Sequence, residues 1–130
     1  PSVIYNDPFA LEYFKDRVEP ASKAKFISDE LSQDHKVLAV IVFGSVARGR
    51  ITKESDLDLL IITKEGIELN EEVYKLAFRY DIPIEAIFLS FEELLSHIQA
   101  MTTFLLGVIE GYKILFDRAG IEYILSEDDS

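Results

Sequence analysis

Apolar residues recur along this chain at two periods, and the switches between them mark the elements. Asp7-Pro8 reads as an N-cap followed by the residue best suited to a first helical position. Phe9, Leu11, Phe14 and Val18, with Tyr13, then continue a helix to about Val18. Pro20 ends that helix and opens another, in which Ala24, Ile27 and Leu31 recur at three- and four-residue steps to about Ser32. The pattern then changes. Val37 to Phe43 is an unbroken β-branched and apolar run closed by Gly44, which predicts a strand buried on both faces. Leu57 to Ile62 predicts a second strand, interrupted only by Asp58. Asn70 is a candidate cap for a helix to Tyr80, with Val73, Leu76, Ala77 and Tyr80 on one face, ended by Asp81-Ile82-Pro83. Ile84 to Leu89 predicts a third strand and Ser90 the cap of a helix beginning near Phe91. Glu92 to Tyr112 reads as mainly helical, weakened at Gly107 and Gly111. Lys113 to Phe116 predicts a short strand, Ile121 to Leu125 a last helical turn or two, and Glu127 to Ser130 a solvated tail.

Helices first, then alternating strands and helices, define an α/β (α+β) class: a small mixed sheet with helices packed on it. At 130 residues the chain has the length of one domain. It divides into a helical region over 1–35, a core over 36–116, and a C-terminal helix with an acidic tail over 117–130. The many Phe residues at element periods (Phe9, Phe14, Phe26, Phe78, Phe88, Phe91 and Phe104, with Tyr13) read as core.

Charge changes the picture next. Thirteen Lys and Arg stand against 24 Asp and Glu, a formal net charge of −11. Such a surface repels a phosphate backbone and an anionic lipid leaflet, which argues against non-specific nucleic-acid binding and against membrane attachment. With no cysteine, disulfides, thiolate metal sites and a Cys nucleophile are excluded. The longest apolar run has seven residues, Val37 to Phe43, against about 20 needed to span a bilayer, and no segment reads as a signal peptide. The cytoplasm is the expected compartment.

Against that acidic background one stretch is anomalous. Gly44-Ser45 ends a buried strand, where glycine permits a sharp turn and a close ligand approach. A short helix starting there would offer free N–H groups to an anion. Arg48, Arg50 and Lys53 follow, with no acid between Gly44 and Lys53. A phosphate group accounts for all of this. Asp56 and Asp58 then stand two apart at the start of a strand, which puts both carboxylates on one face. Two like charges so close repel unless a cation sits between them. Mg²⁺ is held by one or two carboxylates together with substrate phosphates. Glu85 supplies a third acid if its strand lies beside Leu57–Ile62. An acid in a strand with apolar neighbours on both faces needs such a partner. Three carboxylates can hold two Mg²⁺ ions, the arrangement used for in-line displacement at phosphorus.

Gly44-Ser45, ten residues, then Asp56-Leu57-Asp58, with Ala47-Arg48-Gly49 and Ser55 to Leu59 around them, resembles the minimal nucleotidyltransferase family of the DNA polymerase β-like superfamily. From residue frequencies, the Gly-Ser and Asp-x-Asp pattern arises by chance in on the order of one chain in a thousand of this length, so coincidence is a poor account of it. The resemblance spans roughly Val37 to Leu89 and continues loosely to Phe116. It implies the polymerase β-like fold, ATP or another NTP as donor, and two Mg²⁺ ions. It implies that Gly44 and Ser45 bind the triphosphate, that Asp56 and Asp58 bind metal, as catalytic residues, and that Glu85 fills the third acidic position, as metal ligand and catalytic residue; Arg48, from its place after the turn, is a candidate phosphate contact or else a surface or helix-capping residue. Many members carry Asp there, and Glu sets its oxygens about one carbon further out. Small stand-alone members resemble the antitoxin half of a toxin–antitoxin pair and work beside an all-helical HEPN toxin, which they can adenylylate.

The expected activity is transfer of a nucleoside monophosphate, AMP from ATP, to an acceptor hydroxyl, with such a helical protein as the candidate partner. The competing reading is a non-catalytic module that keeps the nucleotide pocket and neutralises a partner by contact. A homodimer is compatible with the Phe-rich faces. His35 and His97 have no ligand at metal spacing and read as surface or helix-face residues.

Overall fold

The computed structural model describes residues 20–49 and 56–128, with side chains as far as 126. The expected helix over residues 7–18 and the cations Arg50 and Lys53 lie outside the described residues. The elements are α1 (Pro20–Leu31), β1 (Val37–Phe43), α2 (Gly44–Ala47), β2 (Leu57–Thr63), a 3-10 turn (Lys64–Gly66), α3 (Asn70–Tyr80), β3 (Ile84–Leu89), α4 (Phe91–Ala100), α5 (Thr103–Ile109), β4 (Tyr112–Asp117) and α6 (Ile121–Asp128).

Four strands form one mixed sheet in the order β3-β2-β1-β4. β1 pairs antiparallel with β2 and β4, and β2 pairs parallel with β3. The two apolar runs are therefore the two interior strands, as continuous hydrophobicity predicts. Parallel neighbours need a long crossover, and α3 supplies it between β2 and β3. One sheet face packs Val40, Val42, Leu57, Leu59 and Ile61 against Ala24, Ile27 and Leu31 of α1 and Val73, Leu76 and Tyr80 of α3. The other packs Ala39, Ile41, Leu60 and Ile62 against Leu94 of α4, Leu105 of α5, and Ile121 and Leu125 of α6. The result is a helix–sheet–helix sandwich.

Polar pins lock the layers. Glu30 of α1 bonds both Arg79 and the Tyr80 hydroxyl of α3. Beyond β4, the Arg118 guanidinium donates to the carbonyls of Ser32 at 3.1 Å and Val37 at 3.3 Å and lies 4.9 Å from the Phe116 ring centroid. The Arg118 contacts sit at the N-terminal end of β1. Ser90 caps α4 in a reciprocal box: the Glu93 N–H donates to Ser90 Oγ at 3.0 Å, and the Ser90 N–H to Glu93 Oε1 at 2.9 Å.

Four expectations need correction. The Glu92–Tyr112 stretch is not one helix, because Met101 turns left-handed (φ 50) and Thr102 caps a new helix by accepting from the Leu105 N–H at 3.2 Å. Asn70 is the first residue of α3, not its cap. Its side chain donates instead to Glu68 Oε1 at 3.0 Å. Phe78 is 77% exposed, since the inward stripe of α3 runs through Val73, Leu76 and Tyr80 and leaves it on the outer side. β3 is an edge strand that alternates between half-buried and exposed positions, and Glu85 is exposed. The remaining boundaries move by one to three residues.

The central position of β2 makes a stability contrast measurable. Leu60 is fully buried and Tyr74 is 76% exposed. Leu60→Ala should cost about 3 kcal/mol in urea unfolding, and Tyr74→Ala no more than about 0.5 kcal/mol.

Candidate functional site

A single cross-strand row crosses one end of the sheet. Tyr112 pairs with Phe43, Phe43 with Asp58, and Asp58 with Glu85. Residues directly opposite one another point to the same face. That face is the one covered by α4, α5 and α6, since Phe43 and Tyr112 pack with its core. Along β1 the apolar run ends at Phe43. Along β2 and β3 the row holds Asp58 and Glu85, where apolar Leu60 and Ile87 follow two residues later. The carboxyls thus stand at the open end of a layer whose interior is hydrocarbon. The chemistry is confined to the C-terminal end of β1 and the N-terminal ends of the other three strands.

β1 runs into a turn at Gly44 and then the four-residue α2. Gly44 adopts φ 73, a region that an L side chain rarely enters. A second constraint acts on the same residue. A Cβ at Gly44 would lie 2.1 Å from Asp58 Oδ2. The glycine therefore both makes the bend and admits the carboxyl against the backbone. Ser45 follows half-buried, and Arg48 ends α2 exposed, its N–H donating to the Gly44 carbonyl at 3.1 Å.

The electrostatics record how crowded this corner is. The Asp58 carboxyl is pushed up to about 6 by burial first, then by a hydrogen bond and the charge of Glu85, and by the charge of Asp56; Arg48 opposes these. Asp56 lies just outside β2 and is exposed. Glu85, Asp56 and Arg48 thus each act on Asp58 at this end of the sheet, and the Gly44 backbone lies against it. Among the described residues no set of three or more Asp, Glu or His already stands at metal-ligating separations. Asp58 and Glu85 stand directly opposite one another on neighbouring strands, and their proximity is one of the causes that raise Asp58. The donor set itself is all oxygen and carries the repulsion that a hard divalent cation relieves.

Two contributors escaped the sequence reading. Phe43, the residue before the turn, is held edge-on by Phe104 of α5, with ring centroids 5.9 Å apart, and Phe104 in turn meets His97 at 5.3 Å. His97 Nδ1 pairs with Thr102 Oγ1 at 2.7 Å, so this histidine is structural. Gly111 is the other: a Cβ there would meet Cγ of Arg48 at 2.5 Å. Neither contact has a signal in local periodicity, because each joins residues more than 60 positions apart.

The sandwich, the Gly-Ser turn and the row of acids define a nucleotide-transfer fold. Residues 24–127 match the Nucleotidyltransferase domain family, and the chain belongs to it. Two similar proteins are protein adenylyltransferase candidates of Methanocaldococcus jannaschii. MJ1305 is 32% identical over 90 residues, covering 63% of this chain and 60% of that protein. MJ1547 is 33% identical over 92 residues, covering 71% and 63%. The chain thus matches somewhat less than two thirds of the length of these relatives. Among solved structures, one chain of a toxin–antitoxin crystal structure with AMP-PNP superposes with a TM-score of 0.56 at 18% identity, over 81% of each chain. At that identity the likeness speaks for the fold. No described helix is long and apolar enough to cross a membrane.

An acid whose folded-state value is raised from 3.8 to about 6 binds a proton more tightly in the native state than in the unfolded chain. Its contribution therefore favours folding at low pH and is lost as pH rises between those values. Asp58→Asn, which mimics the protonated acid, should raise the Tm of the metal-free protein above pH 6 and leave it nearly unchanged at pH 4. Thermal melts in EDTA across that range check it.

Proposed function

We propose that the protein transfers AMP from ATP to a hydroxyl of a protein acceptor. The observation that carries this reading is the meeting of Asp58 with Glu85 and with the Gly44 backbone at the end of the sheet. It supports a reading in which the Gly44-Ser45 turn holds phosphate and the carboxylates beside it serve the same nucleotide. Asp56 and Asp58 would hold one Mg²⁺, and Glu85 would complete a second. The donor chemistry fits, since every ligand is a carboxylate oxygen and Asp58 is raised by burial and by the neighbouring acids. When bound, the ions neutralise the triphosphate and lower the pKa of the acceptor hydroxyl.

The chain's own groups do the rest. The backbone N–H of Gly44 and the Ser45 hydroxyl hold the β- and γ-phosphates at the start of α2. Arg48 adds a guanidinium beside them, suited to phosphate oxygens. Fixing the triphosphate aligns the α-phosphorus with the acceptor, which is worth more than any single contact. The acceptor oxygen then forms a bond to the α-phosphorus while the α–β bridging P–O bond breaks. Pyrophosphate leaves, and Glu85, on the exposed edge strand, takes the hydroxyl proton.

The acceptor follows from what this chain is similar to. Its relatives are named for adenylyl transfer to protein, and a structural neighbour is part of a toxin–antitoxin complex with AMP-PNP. A helical HEPN-type partner is the corresponding substrate. The surface charge of −11 suits a partner with basic patches.

Labelled ATP incubated with the protein and the products of its neighbouring genes should yield one labelled protein and free pyrophosphate. Asp58→Asn should reduce that label by at least about a thousandfold, the scale of losing an electrostatic catalytic group, while its melt stays cooperative. Tight MgATP binding by wild type without pyrophosphate release would instead favour neutralisation by contact.

A further inference from the structure

Gly111 lies between α5 and β4, immediately before Tyr112, the first residue of the cross-strand row. Its backbone does not demand glycine. The positive-φ glycines among the described residues are Gly44, Gly49, Gly66 and Gly120, and Gly111 is not one of them. Its N–H donates to the Val108 carbonyl at 3.2 Å, an ordinary helix-ending turn. What requires glycine is space. A Cβ at this position would stand 2.5 Å from Arg48 Cγ and 3.1 Å from Arg48 Cδ. These are mid-stem atoms, so anything that moves them redirects the guanidinium beyond. Gly107, one turn earlier, is the opposite case: a Cβ there meets nothing within 4 Å.

The path of that stem matters because of where it ends. Arg48 closes α2, directly after the Gly44-Ser45 turn, and α2 packs against both β2 and β4. The guanidinium is near enough to Asp58 to offset part of the crowding of the acids. Its side chain is exposed and makes no ion pair among the described residues that would anchor its head. The stem is therefore guided by the groove it lies in. A long flexible side chain loses rotamer freedom when it is directed, and the bare Gly111 backbone is the surface that directs it.

We propose that Gly111 is a positioning residue for the nucleotide site, its missing side chain forming the groove that aims Arg48 at the triphosphate. The inference rests on the nucleotidyltransferase reading above and adds to it a residue from the far edge strand. Two glycines then shape the site from opposite sides. Gly44 admits Asp58, and Gly111 admits Arg48.

A double-variant cycle tests it, with MgATP affinity read by titration calorimetry and folding by Tm. Gly111→Ala should weaken MgATP binding about tenfold, the scale of one charge-assisted contact, and Arg48→Ala by a similar factor. In the Arg48→Ala background, Gly111→Ala should cost nothing further, because removing the arginine stem leaves room for the new methyl. Gly107→Ala should bind MgATP as wild type does. If Gly111→Ala alone melts early, Arg48→Ala should restore its Tm; a melt that stays low overturns the proposal. So does wild-type affinity in Gly111→Ala, and so does an equal loss in both backgrounds, which marks a purely structural glycine. A wild type that binds no MgATP removes the nucleotide reading and the purpose of the groove with it. A crystal structure of free Gly111→Ala with the Arg48 stem unmoved overturns the steric claim alone.

Discussion

Carboxylates crowd the end of an apolar sheet, and the rest of the site is arranged around that fact. Asp58 is pressed between the Gly44 backbone and Glu85, with Asp56 adding its charge. Burial and the neighbouring acids together raise it, and among the described residues Arg48 offsets part of that. The native protein therefore carries a local cost at neutral pH. A site with stored repulsion of this kind gains when a cation binds, because ligand charge relieves it. The sheet supplies the rigidity that makes such crowding sustainable. β1 and β2 are buried on both faces, so the row Tyr112-Phe43-Asp58-Glu85 cannot slip without moving the whole core.

The two sides of the sandwich have different tasks. α1 and α3 cover one face and are tied together by Glu30. α4, α5 and α6 cover the other face, where the row at the site end runs from half-buried Tyr112, Phe43 and Asp58 to exposed Glu85. Phe104 braces Phe43, the last residue before the turn. The apolar residues of that face account for the part of the Asp58 shift that comes from burial.

Net charge and local charge also pull in opposite directions. A protein at −11 repels a polyphosphate at long range. The stretch after Gly44 is free of acids, and Arg48 is held at the turn by a groove on β4's leading edge. Within a Debye length of roughly 8 Å the local groups outweigh the distant ones. Beside the carboxylates Arg48 is the described cation of this corner, so a phosphate chain at the turn would draw the rest of its counter-charge from a bound divalent cation.

Much of this was legible in the chain itself, for reasons that are local. Apolar runs announced the interior strands, Ser90 announced a capped helix, and the Gly-Ser and Asp-x-Asp spacing announced the candidate site. Each signal spans a dozen residues or so, within which backbone geometry leaves few options. Other features depended on which elements became neighbours. Glu85 read as an acid inside an apolar strand, and only the order β3-β2-β1-β4 makes it an exposed edge residue opposite Asp58. Phe78 read as core until the packing of α3 turned it outward. Gly111 read as a weakness in a helix, whereas its contact with Arg48 spans more than 60 positions of chain. Periodicity states which face of an element is apolar. What stands against that face, and where a missing side chain leaves room for a distant one, is decided when the layers close.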